Sequence, residues 1–148
     1  MDELDLRIRN HVYASFVEDG RARTPEEVAA ALGLAEGEVA AAYRRLDDAH
    51  ALVLEPASTE ILMLNPFSTV ETQHRVETGG RAWFANCAWD ALGIPAALHT
   101  DGVVESVCAD CGEHLELRVS DGKLAQGADL LVHFVVPARQ WWDDIAFT

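Results

Sequence analysis

The strongest local constraint on this chain is a helix start and a helix stop set nine residues apart, at Thr24 and Gly33. In Thr24-Pro25-Glu26-Glu27, Thr can cap the helix, Pro already has the backbone angle of a first helical position, and Glu27 can return a bond to the cap. Gly33 tolerates the left-handed turn that ends a helix, with Leu34 packing behind it. A second helix is expected from about Glu36, with Val39, Tyr43 and Leu46 on one face. Two short helices joined by Leu32-Gly33-Leu34 form a helix-turn-helix pattern.

The flanking residues extend this unit. Leu4, Ile8, Val12 and Phe16 recur every four residues, so residues 4–19 should form an amphipathic helix ending at Gly20. Ala51-Leu52-Val53-Leu54 and Ile61-Leu62-Met63-Leu64 flank a polar Pro56–Glu60 turn and read as a β-hairpin wing. Residues 1–66 are therefore expected to form a winged helix-turn-helix domain. Its second helix carries Glu36, Glu38, Asp47 and Asp48 against Arg44 and Arg45, in a chain of net charge −14. Such a surface repels phosphate, which disfavours DNA as a partner and favours a structural or subunit-packing role.

Residues 67–148 are expected to form a small mixed β-sheet domain with one short helix, giving an α+β chain overall. Gln73–Thr78 and Arg81–Phe84 read as strands around Gly79-Gly80. Further strands are expected at Val103–Val107, at Leu115–Val119 and, centrally, at Leu130–Val136. Trp141, Trp142 and Phe147 near the end should be buried, as if Ile145-Ala146-Phe147-Thr148 stopped in mid-strand. The acidic start has no secretory pattern and no apolar run reaches the length of a membrane span, so a cytoplasmic, membrane-free protein is expected. Oligomeric state is left open.

The chemistry concentrates in Arg81-Ala82-Trp83-Phe84-Ala85-Asn86-Cys87-Ala88-Trp89-Asp90-Ala91-Leu92-Gly93-Ile94-Pro95. Cys87 and Asp90 lie one helical turn apart, on one face of a helix expected to end near Gly93-Ile94-Pro95. A carboxylate among aromatics is unusual unless it is paired or useful. The plainer alternative makes Cys87 a buried small hydrophobe and Asp90 a cap or a partner for Arg81.

Cys108-Ala109-Asp110-Cys111 is half of a zinc ribbon, and no second pair completes it. Cys108, Cys111, His114 and a remote ligand could hold structural zinc, while a β-turn of small residues is the simpler account. The six histidines show no ligand spacing, and His133 reads as a core residue of the Leu130–Val136 strand. There is no nucleophile elbow and no phosphate-cradling glycine loop, so hydrolase and nucleotide-binding readings lack support.

Taken together, these pieces resemble the organomercurial (alkylmercury) lyase family over nearly the whole chain. The likeness runs from the helix-turn-helix and wing through Asn65-Pro66-Phe67-Ser68. It is sharpest at Trp83–Pro95 and continues through Val107–Gly112 to Trp141–Thr148. The resemblance implies protonolysis of carbon–mercury bonds in small organomercurials, giving a hydrocarbon and Hg(II), and with it mercury resistance. No added cofactor is implied; Hg(II) is product and ligand, passed to small or protein thiols. It also implies an active site of two cysteines and one aspartate. Cys87 matches the first cysteine, binding mercury as thiolate, and Asp90 matches the aspartate, holding or relaying the proton and adjoining the metal. The second cysteine is expected just past Phe147-Thr148, which makes residues 67–148 a lyase-like domain cut short at its C-terminus. Cys108 and Cys111 are candidate metal ligands that stand in for it only if their loop lies over the Cys87 helix.

Overall fold

A computed structural model describes residues 1–143 and Ile145. Three helices come first: α1 (Glu3–Asp19), α2 (Pro25–Leu32) and α3 (Glu36–Asp48). Ile8, Val12 and Phe16 are buried along the expected stripe of α1, and Gly20 closes it with φ 70°. The α2 box forms as its sequence requires: Thr24 N donates to Glu27 Oε2 at 2.9 Å and Glu27 N donates to Thr24 Oγ1 at 3.3 Å. Leu34 N then donates to Ala29 O at 3.0 Å behind Gly33. Arg45 of α3 clamps the buried Asp5 of α1, with Nη2 2.6 Å from Oδ1, and holds that carboxyl below the usual carboxylate range.

Strands β1 (Val53–Leu54) and β2 (Ile61–Leu64) form the expected hairpin, and β2 pairs directly with β3 (Phe67–Ser68). The boundary anticipated at residues 66 and 67 thus falls in the tight connection between two paired strands. β4 (Arg75–Thr78) and β5 (Arg81–Ala85) follow, joined by Gly79-Gly80 at φ 58° and 77°, a turn that only glycine adopts without strain. After α4 (Ala88–Leu98) come β6 (Gly102–Val107), β7 (His114–Ser120) and β8 (Lys123–Gln126).

These strands make one sheet in the order β1-β2-β3-β5-β4-β6-β7-β8, antiparallel at every pairing. The mixed sheet expected from sequence is therefore corrected. The β5–α4–β6 crossover does join two strands of like direction, but β4 lies between them and pairs with both. One hydrophobic cluster spans the helices and the sheet, from Ile8, Tyr43 and Leu46 through Leu64 and Phe67 to Val76, Trp83, Ile94 and Val104.

Two further expectations change. Leu130–Val136 is not a strand: it has no ladder partner among the described residues, Leu131 is 94% exposed, and His133 is exposed rather than core. An apolar, branched run becomes a strand only where a sheet edge accepts its backbone. The second change is in α4, which runs past Pro95 to Leu98 and closes at His99 with φ 53°. Proline removes one amide donor from a helix but does not always end it, and Pro95 is buried here against the sheet. Gly102 makes room for it, since a Cβ there would lie 2.9 Å from Pro95 Cγ. Ala146, Phe147 and Thr148, where the chain was expected to stop in mid-strand, lie outside the described residues. No helix among those described is long and apolar enough to cross a membrane.

Candidate active site

Strand β5 delivers the site. Its alternation buries Trp83 and Ala85 against the core, and the chain then leaves the sheet through Asn86 and Cys87 into α4. Cys87 is not inside the helix as its spacing suggested; it is the N-cap, extended at φ −149° and ψ 176°. Its Sγ accepts from Asp90 N at 3.5 Å, as a capping serine oxygen would, while Ala91 N donates to Cys87 O at 2.9 Å. Capping still ties the two residues together, and the Asp90 charge acts on the Cys87 thiol.

Asn86 organises the other side of Asp90. Its Nδ2 donates to Asp90 Oδ2 at 3.3 Å and to Asn65 Oδ1 at 2.9 Å, and its Oδ1 is buried with no partner among the described residues. Asn65 precedes Pro66 through a cis peptide, and Pro66 packs beside Gly93 of α4. Tyr13 of α1 reaches the same corner, its hydroxyl 3.0 Å from Ala51 O and 3.3 Å from Asn65 O. The helical unit thus buttresses the site. Arg81, a sequence candidate for pairing with Asp90, instead donates to the carbonyls of Val17 and Glu18 at the end of α1, at 3.0 and 2.7 Å.

Burial sets the protonation states. It pushes the Asp90 carboxyl up, against the hydrogen bonds from Asn86 and Cys87 and the nearby His74, all of which favour its charged form. It also pushes the Cys87 thiol up, and the adjacent Asp90 charge adds to that. A raised Asp90 agrees with its apolar setting. At Cys87 burial outweighs the backbone N–H groups of Asp90 and Trp89, which pull its pKa down. The aromatic shell is also thinner than expected: Trp83 is buried and Phe84 half-buried, but Trp89 is 59% exposed and meets Phe134 edge-on. Across the site His74 is held by Ser106, Nδ1 to Oγ 2.8 Å, and its burial pushes its pKa down.

The other two cysteines lie on a different element. Cys108 and Cys111 sit in the β6–β7 turn, where backbone N–H groups of Cys111 and Asp110, then the Cys111 side chain, bring the Cys108 thiol down. Among the described residues no three His, Cys, Asp or Glu side chains gather closely enough to hold a metal ion, so neither the zinc set with His114 nor a Cys87–Asp90–Cys108 set is assembled. Asn65, Tyr13 and His74 were not legible as site residues: each reaches Asp90 or Asn86 only through the sheet order and the docking of α1. Asn86 alone gave a signal, a polar residue beside Cys87 in an apolar run.

Residues 67–148 match the family model for alkylmercury lyase. The chain belongs to the alkylmercury lyase family. The alkylmercury lyase match includes both Cys87 and Asp90. The chain is also similar to MerB2, seen in a crystal structure of its mercury-bound form, with 27% identity and a TM-score of 0.70 over 87% of this chain. It spans 62% of the length of that MerB2 chain. No curated protein matches it.

Proposed function

We propose that this member of the alkylmercury lyase family cleaves carbon–mercury bonds by protonolysis, with Cys87 as the mercury-binding sulfur and Asp90 as the proton carrier. The observation that carries the reading is the Asp90 N–H to Cys87 Sγ bond of 3.5 Å, which holds the two residues together in a half-buried site. A neutral thiol is no obstacle, because a soft organomercurial cation displaces the proton as the S–Hg bond forms. Asp90, whose burial favours its acid form, takes that proton and presents it to the carbon bound to mercury. The C–Hg electron pair then becomes the new C–H bond, releasing a hydrocarbon and leaving Hg(II) on sulfur. A second thiolate would add electron density to mercury and speed this step. The product is proposed to leave on small or protein thiols, in a reducing cytoplasm.

In this reading residues 1–66 are a winged helix-turn-helix that supports the site through Tyr13 and the α1 carbonyls bound by Arg81, and residues 67–148 are the lyase domain. A metal-responsive DNA-binding role is the weaker reading, since acidic Glu36 and Glu38 stand at the start of α3. The test is benzene release from phenylmercury under excess thiol, using the chain extended to include the expected second cysteine. Benzene should form, and Cys87→Ser should abolish it. Absence of benzene from the extended chain would defeat the lyase assignment.

A further inference from the structure

We propose that the β6–β7 turn is a metal-binding site in its own right, in which Cys108 and Cys111 together chelate one soft, thiophilic cation, best matched by Hg(II). The turn is closed at both ends. Cys108 N donates to Glu113 O at 2.8 Å, continuing the ladder past Val107, and Gly112 N donates to Cys108 O at 2.9 Å. Gly112, at φ 74°, takes the left-handed conformation that lets the loop fold back. Cys108 and Cys111 thus stand at the first and fourth positions of one closed turn, with Ala109 and Asp110 between them. Both cysteines are therefore held in one short loop before any ion arrives, which lowers the ordering cost of chelation. Cys111 is exposed and Cys108 half-buried, so an ion enters without opening the fold.

The ligand count selects the ion. No third His, Cys, Asp or Glu side chain joins the pair among the described residues. Zinc in a structural site takes four protein ligands, so it is poorly served here. Mercury(II) is satisfied by two thiolates, and soft sulfur favours it over hard cations. Loading from a bis-thiol complex needs no oxidant. Two bonds from mercury to the carrier sulfurs break, two to Cys108 and Cys111 form, and the protons of the two cysteines pass to the departing carrier thiolates.

The position of the turn gives the site a use. β5 and β6 run in the same direction on either side of β4, so Cys87 and Cys108 both follow strands that finish at the same end of the sheet. Two strand spacings, about 10 Å, separate those two strands. An acceptor role for Hg(II) released at Cys87 rests on the lyase reading; the chelate itself does not.

The test uses the full chain carrying Cys87→Ser, reduced, and titrated with Hg(II) in excess glutathione. Native mass and thiolate-to-mercury absorption report the bound ion. One mercury per chain should be retained, and adding Cys111→Ser should weaken retention about 100-fold, the advantage of a second tethered thiol. Zn(II) offered in the same way should not be held. Equal retention after Cys111→Ser, or one mercury shared by two chains, would overturn the proposal. Unchanged circular dichroism and melting of the variants exclude a folding artefact. Because Cys87 is absent, the outcome is independent of benzene release.

Discussion

Replacing Asp90 with Asn should separate capture of mercury from cleavage. The side chain keeps its shape, and its amide oxygen can still accept from Asn86 Nδ2, now 3.3 Å from Asp90 Oδ2. The backbone amide that caps Cys87 is untouched, so the sulfur stays where it is. What disappears is a negative charge beside the thiol and the acid that carries the proton. Since that charge pushes the Cys87 thiol up in addition to burial, the variant thiol should ionise at lower pH than the wild type. Capture should be as fast or faster. Cleavage should slow by roughly 10²–10⁴, the usual worth of a positioned acid–base group, or about 3–5 kcal/mol of barrier. Alkylation rate against pH, with Cys108 and Cys111 replaced by Ser, reads the thiol; benzene release in the extended chain reads cleavage. A Cys87 titration that stays put or moves up would refute the assignment of the Asp90 charge as its neighbour. Cleavage unchanged in Asp90→Asn would refute the proton role.

Asp90 also makes a pH prediction, because burial raises its pKa above the unfolded value. Its contribution to stability is fully present below the unfolded pKa and is lost as pH rises through the folded one, so Asp90→Asn should melt at higher temperature than wild type at neutral pH. Asn86→Ala removes the donor shared by Asp90 and Asn65, and benzene release should fall about tenfold, the effect of one hydrogen bond near 1.4 kcal/mol, with Cys87 alkylation little changed. Arg45→Met strands the buried Asp5 carboxylate; because Arg45 is itself 44% exposed, a urea titration should show a loss of about 2 kcal/mol rather than the 3–5 of a fully buried pair. Gly102→Ala puts a methyl 2.9 Å from Pro95 Cγ and 3.2 Å from Glu77 O, and should cost about 1–3 kcal/mol in the same titration.

The helical half of the molecule was legible because its signals are local. A capping box, a closing glycine and a period-four stripe each act within a turn or two, and α1, α2 and α3 follow from them. The Gly79-Gly80 turn was readable for the same reason, as was the proximity of Cys87 to Asp90. Spacing did not reveal that Cys87 caps the helix instead of lying within it, because the entry angle of α4 is set by β5. Nor did it reveal the antiparallel sheet: the choice of β4 as the strand between β5 and β6 rests on contacts far apart in sequence. The Leu130–Val136 run shows the opposite failure, since strand-like composition had no backbone partner among the described residues. Neither the raised pKa of Cys87 nor the Tyr13–Asn65–Asn86–Asp90 chain could be seen before α1 and the sheet were placed together.

In the proposed reaction mercury is taken by Cys87 and the carbon is protonated through Asp90. Intact-protein mass spectrometry after a short exposure to phenylmercury tests it most directly, using the extended chain with Cys108→Ser and Cys111→Ser. With Asp90→Asn the protein should carry both mercury and the phenyl group, mapped to Cys87 by peptide analysis. With Asp90 intact the phenyl mass should be lost while mercury remains. A phenylmercury adduct that forms equally well after Cys87→Ser, or a phenyl group lost equally fast with and without Asp90, would contradict the account.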